Sequence, residues 1–351
     1  MSTVYKIPTN VELRGPIQNY VQKVDDLLGL QILPFADSFA QFIETEEEDA
    51  DEGMTAAHVL GTDVKTDERA GSKRFRYKPL HFKEKDVLNE EDILNARQLG
   101  TFGQPVDLIT QTTKLAKKRA QKTLIRVEWT IWQALGGRLQ MDENNVKVDE
   151  TFDVQEHEVL VDFDDLEDSS PLTEFDTAGD LFDGTGASME GAIIAANRQT
   201  WRLVMANQND KDLKALDKTM WGNFRFMFSE LAKIVEGKCG AILKSYDNGY
   251  KKAGAFTKFL EYGDVRIIGK RQMGEPVGNW WRTPSLHIMK GDKPQPGYFV
   301  VVEANGKPST GSVTEVGMSS NPKVEVTGGI YGGPNLDFED NVIKMKVATA
   351  P

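Results

Sequence analysis

The apolar positions of this chain change period several times, and each change predicts an element. The strongest signal covers residues 105–136, where Ala120, Leu124, Val127, Ile131 and Leu135 recur at three- and four-residue spacings. That is the single stripe of an amphipathic helix. Pro105, with Asp107 close behind it, marks a helix start, and Gly136-Gly137 marks the stop. The interval holds roughly 32 residues without a breaker, about 48 Å of helix at about 1.5 Å per residue. Ordinary globular helices run to about 8–20 residues. A rod of this length with so narrow a stripe suits an extended subunit better than a compact enzyme.

Upstream the period is two. Arg74, Arg76 and Lys78 alternate with Phe75 and Tyr77, giving one cationic and one aromatic strand face. An acidic run, Glu44 to Glu52 with Glu46, Glu47, Glu48 and Asp49 at its centre, lies before it, and Gly53, Gly61 and Gly71 come between. The pair of runs predicts a long two-stranded loop or arm. Its charges either sit in solvent and guard an edge strand, or dock on a complementary patch of an adjacent subunit. Residues 1–43 carry short apolar anchors, Leu27 to Leu33 and Phe35, Phe39 and Phe42, without an extended core pattern. They read as an arm laid across a neighbour.

Lys114, Lys117, Lys118, Arg119 and Lys122 crowd the middle of the long helix, either solvated or facing an acidic partner. Glu128, next to Trp129, is expected to pair within the fold, with Arg126 or a neighbouring element. From Val146 to Phe163 period two returns, predicting two long strands in a hairpin. Residues 164–186 read as an acidic, turn-rich connector, 187–206 as a helix, and 211–236 as one or two more. Lys258 to Lys270 reads as strand–turn–strand with Gly263-Asp264 at its turn. The tail predicts short strands at Tyr298–Glu303, Lys323–Thr327 and Val342–Val347. Gly328-Gly329 and Gly332-Gly333-Pro334 serve there as turn punctuation. Helices and strands are segregated, so the class is α+β.

Composition narrows the function. The 351 residues carry a net charge of −12, and no region combines a basic surplus with interleaved aromatics, which disfavours sequence-specific nucleic-acid binding. One cysteine, Cys239, excludes an intrachain disulfide and a cysteine-based zinc site, and is expected to act as a small buried hydrophobe. No apolar run reaches about 18 residues and the opening MSTVYKIPTN has no signal-peptide pattern, so a soluble, intracellular product without membrane contact is expected. His58, His81, His157 and His287 are scattered, and His157 reads as a surface residue. Asp162, Asp164 and Asp165 form a carboxylate cluster without the glycine and bidentate Glu of a calcium loop, so a solvated strand end is expected. Phosphate loops, nucleophile elbows and dinucleotide turns are missing. Trp280-Trp281 reads as a packing anchor. No catalytic residue, cofactor or metal is expected.

Three stretches carry a resemblance. The run FRYKPLHFKEKDVLNEEDILNARQLG, the helix end IRVEWTIWQALGGRLQ and the segment EVLVDFD resemble the major capsid protein family of tailed bacteriophages, in particular the lambda-type major head proteins. The matching residues are Phe75, Lys78, Pro79, Lys83, Lys85, Asp86 and Val87, then Arg126, Glu128, Trp129, Gln133, Ala134, Leu135 and Gly137, then Val161, Asp162 and Phe163. Tyr262-Gly263-Asp264-Val265 is similar to a turn–strand unit of the family's axial domain. The match covers residues 20–165 and weakens toward 270; Asp164 stands where the family often has glycine, and the ending NVIKMKVATAP departs from its pattern.

The resemblance implies the tailed-phage major capsid fold. In it residues 1–43 are an N-terminal arm, 44–85 an extended loop, and 86–169 a peripheral domain with the spine helix 105–136 and long strands. Residues 170–295 are an axial domain, and 296–351 are strands returning to the peripheral domain. It further implies a homo-oligomer of hexamers and pentamers forming the virion shell, assembled in the host bacterial cytoplasm. Scaffold, portal and decoration proteins would be partners, with packaged double-stranded DNA touched non-specifically. Glu46, Glu47, Glu48, Asp49, Arg74, Arg76 and Lys78 are the expected intersubunit contacts. The alternatives are an encapsulin-like compartment shell, or a carboxylate–metal hydrolase on Asp162, Asp164 and Asp165.

Overall fold

The computed structural model describes residues 5–7, 13, 17, 26–48, 72–89, 91–92, 108–143, 146–214, 224–252, 254–271, 274–290, 292–304, 307–308, 314–316 and 323–349. Its longest helix, Leu108–Ala134, has 27 residues; the expected start at Pro105 lies outside the described residues. The apolar stripe is buried as its spacing requires. Ala116, Ala120, Val127, Ile131 and Leu135 are fully enclosed, and Leu124 nearly so. Gly137 ends the helix with a φ of 86°, donating its N–H to the Ala134 carbonyl at 2.8 Å.

This spine helix lies against a six-stranded sheet. The central strand is Lys323–Leu336, paired antiparallel with Tyr298–Ala304, Leu80–Asn89 and Gly278–Arg282. Phe35–Asp37 adds a parallel strand beyond Gly278–Arg282. Tyr298, Val300, Val302, Val324, Val326 and Ile330 close on the helix stripe and form a first core.

Here the structure corrects one expectation. Gly328, Gly329, Gly332 and Gly333 do not punctuate turns but lie inside the longest strand. A side chain has no room there. A Cβ at Gly328 would run into the Tyr298 hydroxyl, and one at Gly333 would meet Ile43 Cδ1 at 2.9 Å. Glycine inside a strand marks close approach of neighbours as often as a turn.

A second, five-stranded sheet takes the order Ile242–Ser245, Ala187–Ala196, Asp264–Arg271, Val342–Lys346, Gln155–His157. One face carries Ile194, Ala196, Val265, Ile267, Ile343 and Met345 against the helices Pro171–Gly179, Arg198–Ala206 and Phe224–Cys239, making a second core. Ala195, Ile268 and Val342, of opposite parity, reach the first core. One sheet thus separates the two cores and joins them. Strands 298–336 run beside the spine helix, whereas the last strand, Val342–Lys346, lies in this second sheet.

Three further expectations are corrected. Residues 187–206 are not one helix. Ala187–Ala196 is a strand paired on both edges, and Asn197 then caps the helix Arg198–Ala206 by accepting from the Thr200 N–H at 2.8 Å. Its second half, Ala192–Ala196, is a short apolar run rich in alanine, which imitated a helix. The hairpin after the spine helix is Arg138–Glu143 with Val146–Thr151; residues 159–163 form no strand. Leu160 is 91 % exposed, and Phe163 turns inward, its N–H on the Val347 carbonyl at 2.7 Å. Asp165 Oδ1 accepts from the N–H groups of Glu167 and Asp168 at 3.2 and 3.1 Å, a side-chain turn that competes with strand pairing. The supposed connector 164–186 holds the helix Pro171–Gly179, with Pro171 in its first turn and Leu172, Phe175 and Ala178 buried.

The turn at Gly263 is as expected, with φ of 76°. Among the described residues, no helix is long and apolar enough to cross a membrane.

Candidate assembly surfaces and the junction of the two cores

The charged runs form the two strands of one arm. Ile43–Glu48 pairs antiparallel with Ser72–Tyr77, and the register sets Glu44 opposite Arg76, Glu46 opposite Arg74 and Glu47 opposite Lys73. Arg76 Nε stands 3.0 Å from Glu44 Oε1, and the guanidinium lies 3.6 Å from the centre of the Phe42 ring. Glu44 and Arg76 therefore pair within the chain; an exposed pair of this kind contributes about 0.2–1 kcal/mol. The base of the arm is firmly seated. Ile43 and Tyr77 are buried, and the Tyr77 hydroxyl donates to the Pro334 carbonyl. Lys78 is exposed just beyond the strand; Asp49 lies outside the described residues.

The cations of the spine helix divide. Arg119 donates to Asp86 and Glu84 on the neighbouring strand, and Lys122 reaches Glu84 at 2.6 Å. Lys114, Lys117 and Lys118 are exposed.

Glu128 is the residue whose role sequence reading underestimated. It is fully buried and does not pair with Arg126, which goes to Glu143 at 2.9 Å and covers the Trp129 ring at 4.4 Å. Four donors surround the Glu128 carboxylate instead. Its Oε1 accepts from the Gly29 N–H at 2.7 Å, the Trp132 indole at 2.8 Å and the Tyr246 hydroxyl at 2.6 Å, while Oε2 accepts from the Leu30 N–H at 3.1 Å. The Tyr246 ring stacks on Trp132 at 5.3 Å. Gly29 permits this approach, since a Cβ there would lie 2.8 Å from both carboxylate oxygens. Burial raises the pKa of Glu128, and the four donors oppose that shift. One carboxylate thus joins the segment around residues 28–32, the spine helix and the second sheet's side of the molecule. The only hint in the sequence is a charge set inside an apolar stripe.

Several of the groups considered for chemistry have partners within the fold. His157 is not a surface residue: it is largely buried, with Nε2 2.7 Å from Glu174 Oε2. Asp164 accepts from the Tyr262 hydroxyl at 2.7 Å, and Asp165 holds the turn described above. Among the described residues, no cluster of three or more His, Cys, Asp or Glu side chains is arranged to hold a metal ion. Cys239 is buried in the second core, and burial pushes its thiol up to about 11. Trp280 anchors the first core, fully buried, with its indole N–H on Thr130 Oγ1 at 3.2 Å.

Solved structures share this fold. The putative capsid protein of a prophage of E. coli CFT073 superposes with a TM-score of 0.61 at 13 % identity, covering 99 % of this chain and 100 % of that one. A phage-related protein from Bordetella bronchiseptica RB50 gives a TM-score of 0.53 at 10 % identity, covering 96 % and 98 %. At such identities the likeness is one of fold, and the fold is that of tailed-phage major capsid proteins. Comparison with curated proteins gives no match. The family described as phage major capsid protein E matches residues 19–322, and the chain belongs to that family. It is a shell-building protein of the virion.

Proposed function

We propose that copies of this chain assemble as hexamers and pentamers into an icosahedral head around a phage genome of double-stranded DNA. Assembly would take place in the host bacterial cytoplasm, with scaffold, portal and decoration proteins as partners. The observation that carries this reading is the 27-residue spine helix set across a sheet, with a charged arm rooted beside it, in a chain of this family. The first core with its sheet would be the peripheral domain. The second sheet and its helices would be the axial domain, with Val342–Lys346 counted in it. The arm would reach a neighbouring subunit through Glu46, Glu47, Glu48, Asp49, Arg74, Arg76 and Lys78. An isolated exposed ion pair is weak, but repetition over every subunit multiplies it.

The test is to express the chain, alone and with the genes that neighbour it, and to image the product by negative-stain electron microscopy. Closed shells, tubes or ring-shaped capsomers are expected. A protein that stays monomeric in both settings would overturn the reading. Reversing charge with Arg74→Glu and Arg76→Glu should leave a folded subunit that no longer assembles; normal shells would remove the arm from the mechanism.

A further inference from the structure

The spine helix meets the second sheet through two polar fixings of opposite sign. The first is Glu128, whose carboxylate takes the Tyr246 hydroxyl at 2.6 Å. The second lies at the helix end. Arg266 and Lys344 are register partners on adjacent strands, on the side of the sheet from which Ile268 and Val342 enter the first core. A Cβ at Gly136 would stand 3.3 Å from Arg266 Nη2, and one at Gly137 3.8 Å from Lys344 Nζ. Both cations therefore lie close to the last turn, at the negative end of the helix dipole. Lys344 is shared with Glu156 at 3.0 Å. Arg266 donates Nη1 to the Val265 carbonyl at 2.9 Å, while its Nε is buried without a partner.

This arrangement is poorly suited to cohesion alone. Apolar residues of similar volume would hold the seam at least as well, without the desolvation cost of buried charge. What polar groups add is direction. Glu128 and Gly136 are about 12 Å apart along the helix at about 1.5 Å per residue. A single fixing would leave a pivot, whereas two separated along the axis define an orientation. We propose that Glu128 with Tyr246, and Arg266 with Lys344, are positioning residues that fix the angle between the spine helix and the five-stranded sheet, and so set the curvature of the shell.

The leverage is large. The helix of 27 residues is about 40 Å long, so a rotation of about 5° at its C-terminal end moves the far end by about 3–4 Å. A shift of that size where subunits meet changes the tilt between them. The inference rests on the shell reading above, and its test separates the two.

Tyr246→Phe removes one donor to Glu128 and keeps the ring on Trp132. Arg266→Met removes the cation and keeps most of the volume. Both variants are to be assembled as the wild type is, checked for fold by circular dichroism, and sized by electron microscopy. The expected result is closed shells whose diameter distribution is shifted or broadened relative to wild type. Shells of wild-type diameter in both variants, even with a lowered melting temperature, would overturn the proposal and leave these residues as ordinary stabilising contacts. Should Arg266→Met not fold, Tyr246→Phe decides alone.

If the wild-type chain forms no shells at all, the shell reading fails and the angle is read directly on the subunit. Nitroxides placed by Lys118→Cys on the spine helix and Lys233→Cys on the helix Phe224–Cys239 report the distance between the two bodies, and buried Cys239 stays unlabelled. A shifted or widened distance distribution in either variant supports the positioning role. An unchanged one overturns it.

Discussion

Replacing Glu128 by Gln tests the node at the centre of the molecule. The substitution keeps the shape and replaces one acceptor oxygen with an NH2 group, in a site where all four partners donate: the Gly29 and Leu30 amides, the Trp132 indole and the Tyr246 hydroxyl. The remaining carbonyl oxygen cannot serve them all. With the carbonyl kept at the Oε1 position, the Leu30 amide alone is orphaned, at a cost of about 1–3 kcal/mol. Removing a buried charge returns part of that. The expected net destabilisation is about 1–2 kcal/mol. Hydrogen exchange at the Gly29 and Leu30 amides reads it locally, and at about 1.4 kcal/mol per decade their protection should fall by about 5- to 30-fold. Unchanged protection would refute the assignment of Glu128 as their anchor.

The pH dependence follows from the sign of the shift. Burial raises the folded-state pKa of Glu128 above 4.5, so the folded state binds the proton more tightly than the unfolded chain. The carboxyl's contribution is then fully present below pH 4.5 and is lost as pH rises through the folded value. The cost of Glu128→Gln, measured by urea unfolding of the subunit, should accordingly shrink from low to high pH. A cost that grows with pH would refute the upward shift.

Three other outcomes are expected. Gly263→Ala should abolish soluble folded protein, because the residue sits at φ of 76° and a Cβ would run into the Ala348 carbonyl; a folded, soluble product by circular dichroism would contradict this. Cys239, with its thiol pushed up to about 11 by burial, should resist a maleimide at neutral pH until the chain is unfolded in urea, and fast labelling of folded protein would contradict the burial. Leu160→Ala, at a side chain 91 % exposed, should change stability by less than about 0.5 kcal/mol in the same urea assay.

The elements that the sequence made legible are those whose burial is one-sided. The spine helix has one buried stripe, so Leu124, Val127 and Ile131 announced it. The arm alternates aromatic and cationic residues in sequence, and where it is described Tyr77 is buried and Arg76 exposed. In Ala187–Ala196 the second half is paired on both edges and largely buried, which erases there the alternation on which such reading depends. The glycines of Lys323–Leu336 misled for a related reason. The space they leave is filled by Tyr298, Phe299, Trp280 and Tyr77 from distant parts of the chain, and no local window contains that fact. Glu128 follows the same logic. Its partners Gly29 and Tyr246 lie on segments far before and far after the helix, so a local reading offered Arg126 or a neighbouring element that it could not name. In a protein whose work is geometric, the residues that fix orientation join segments distant in sequence. They are therefore the ones that a local pattern conceals.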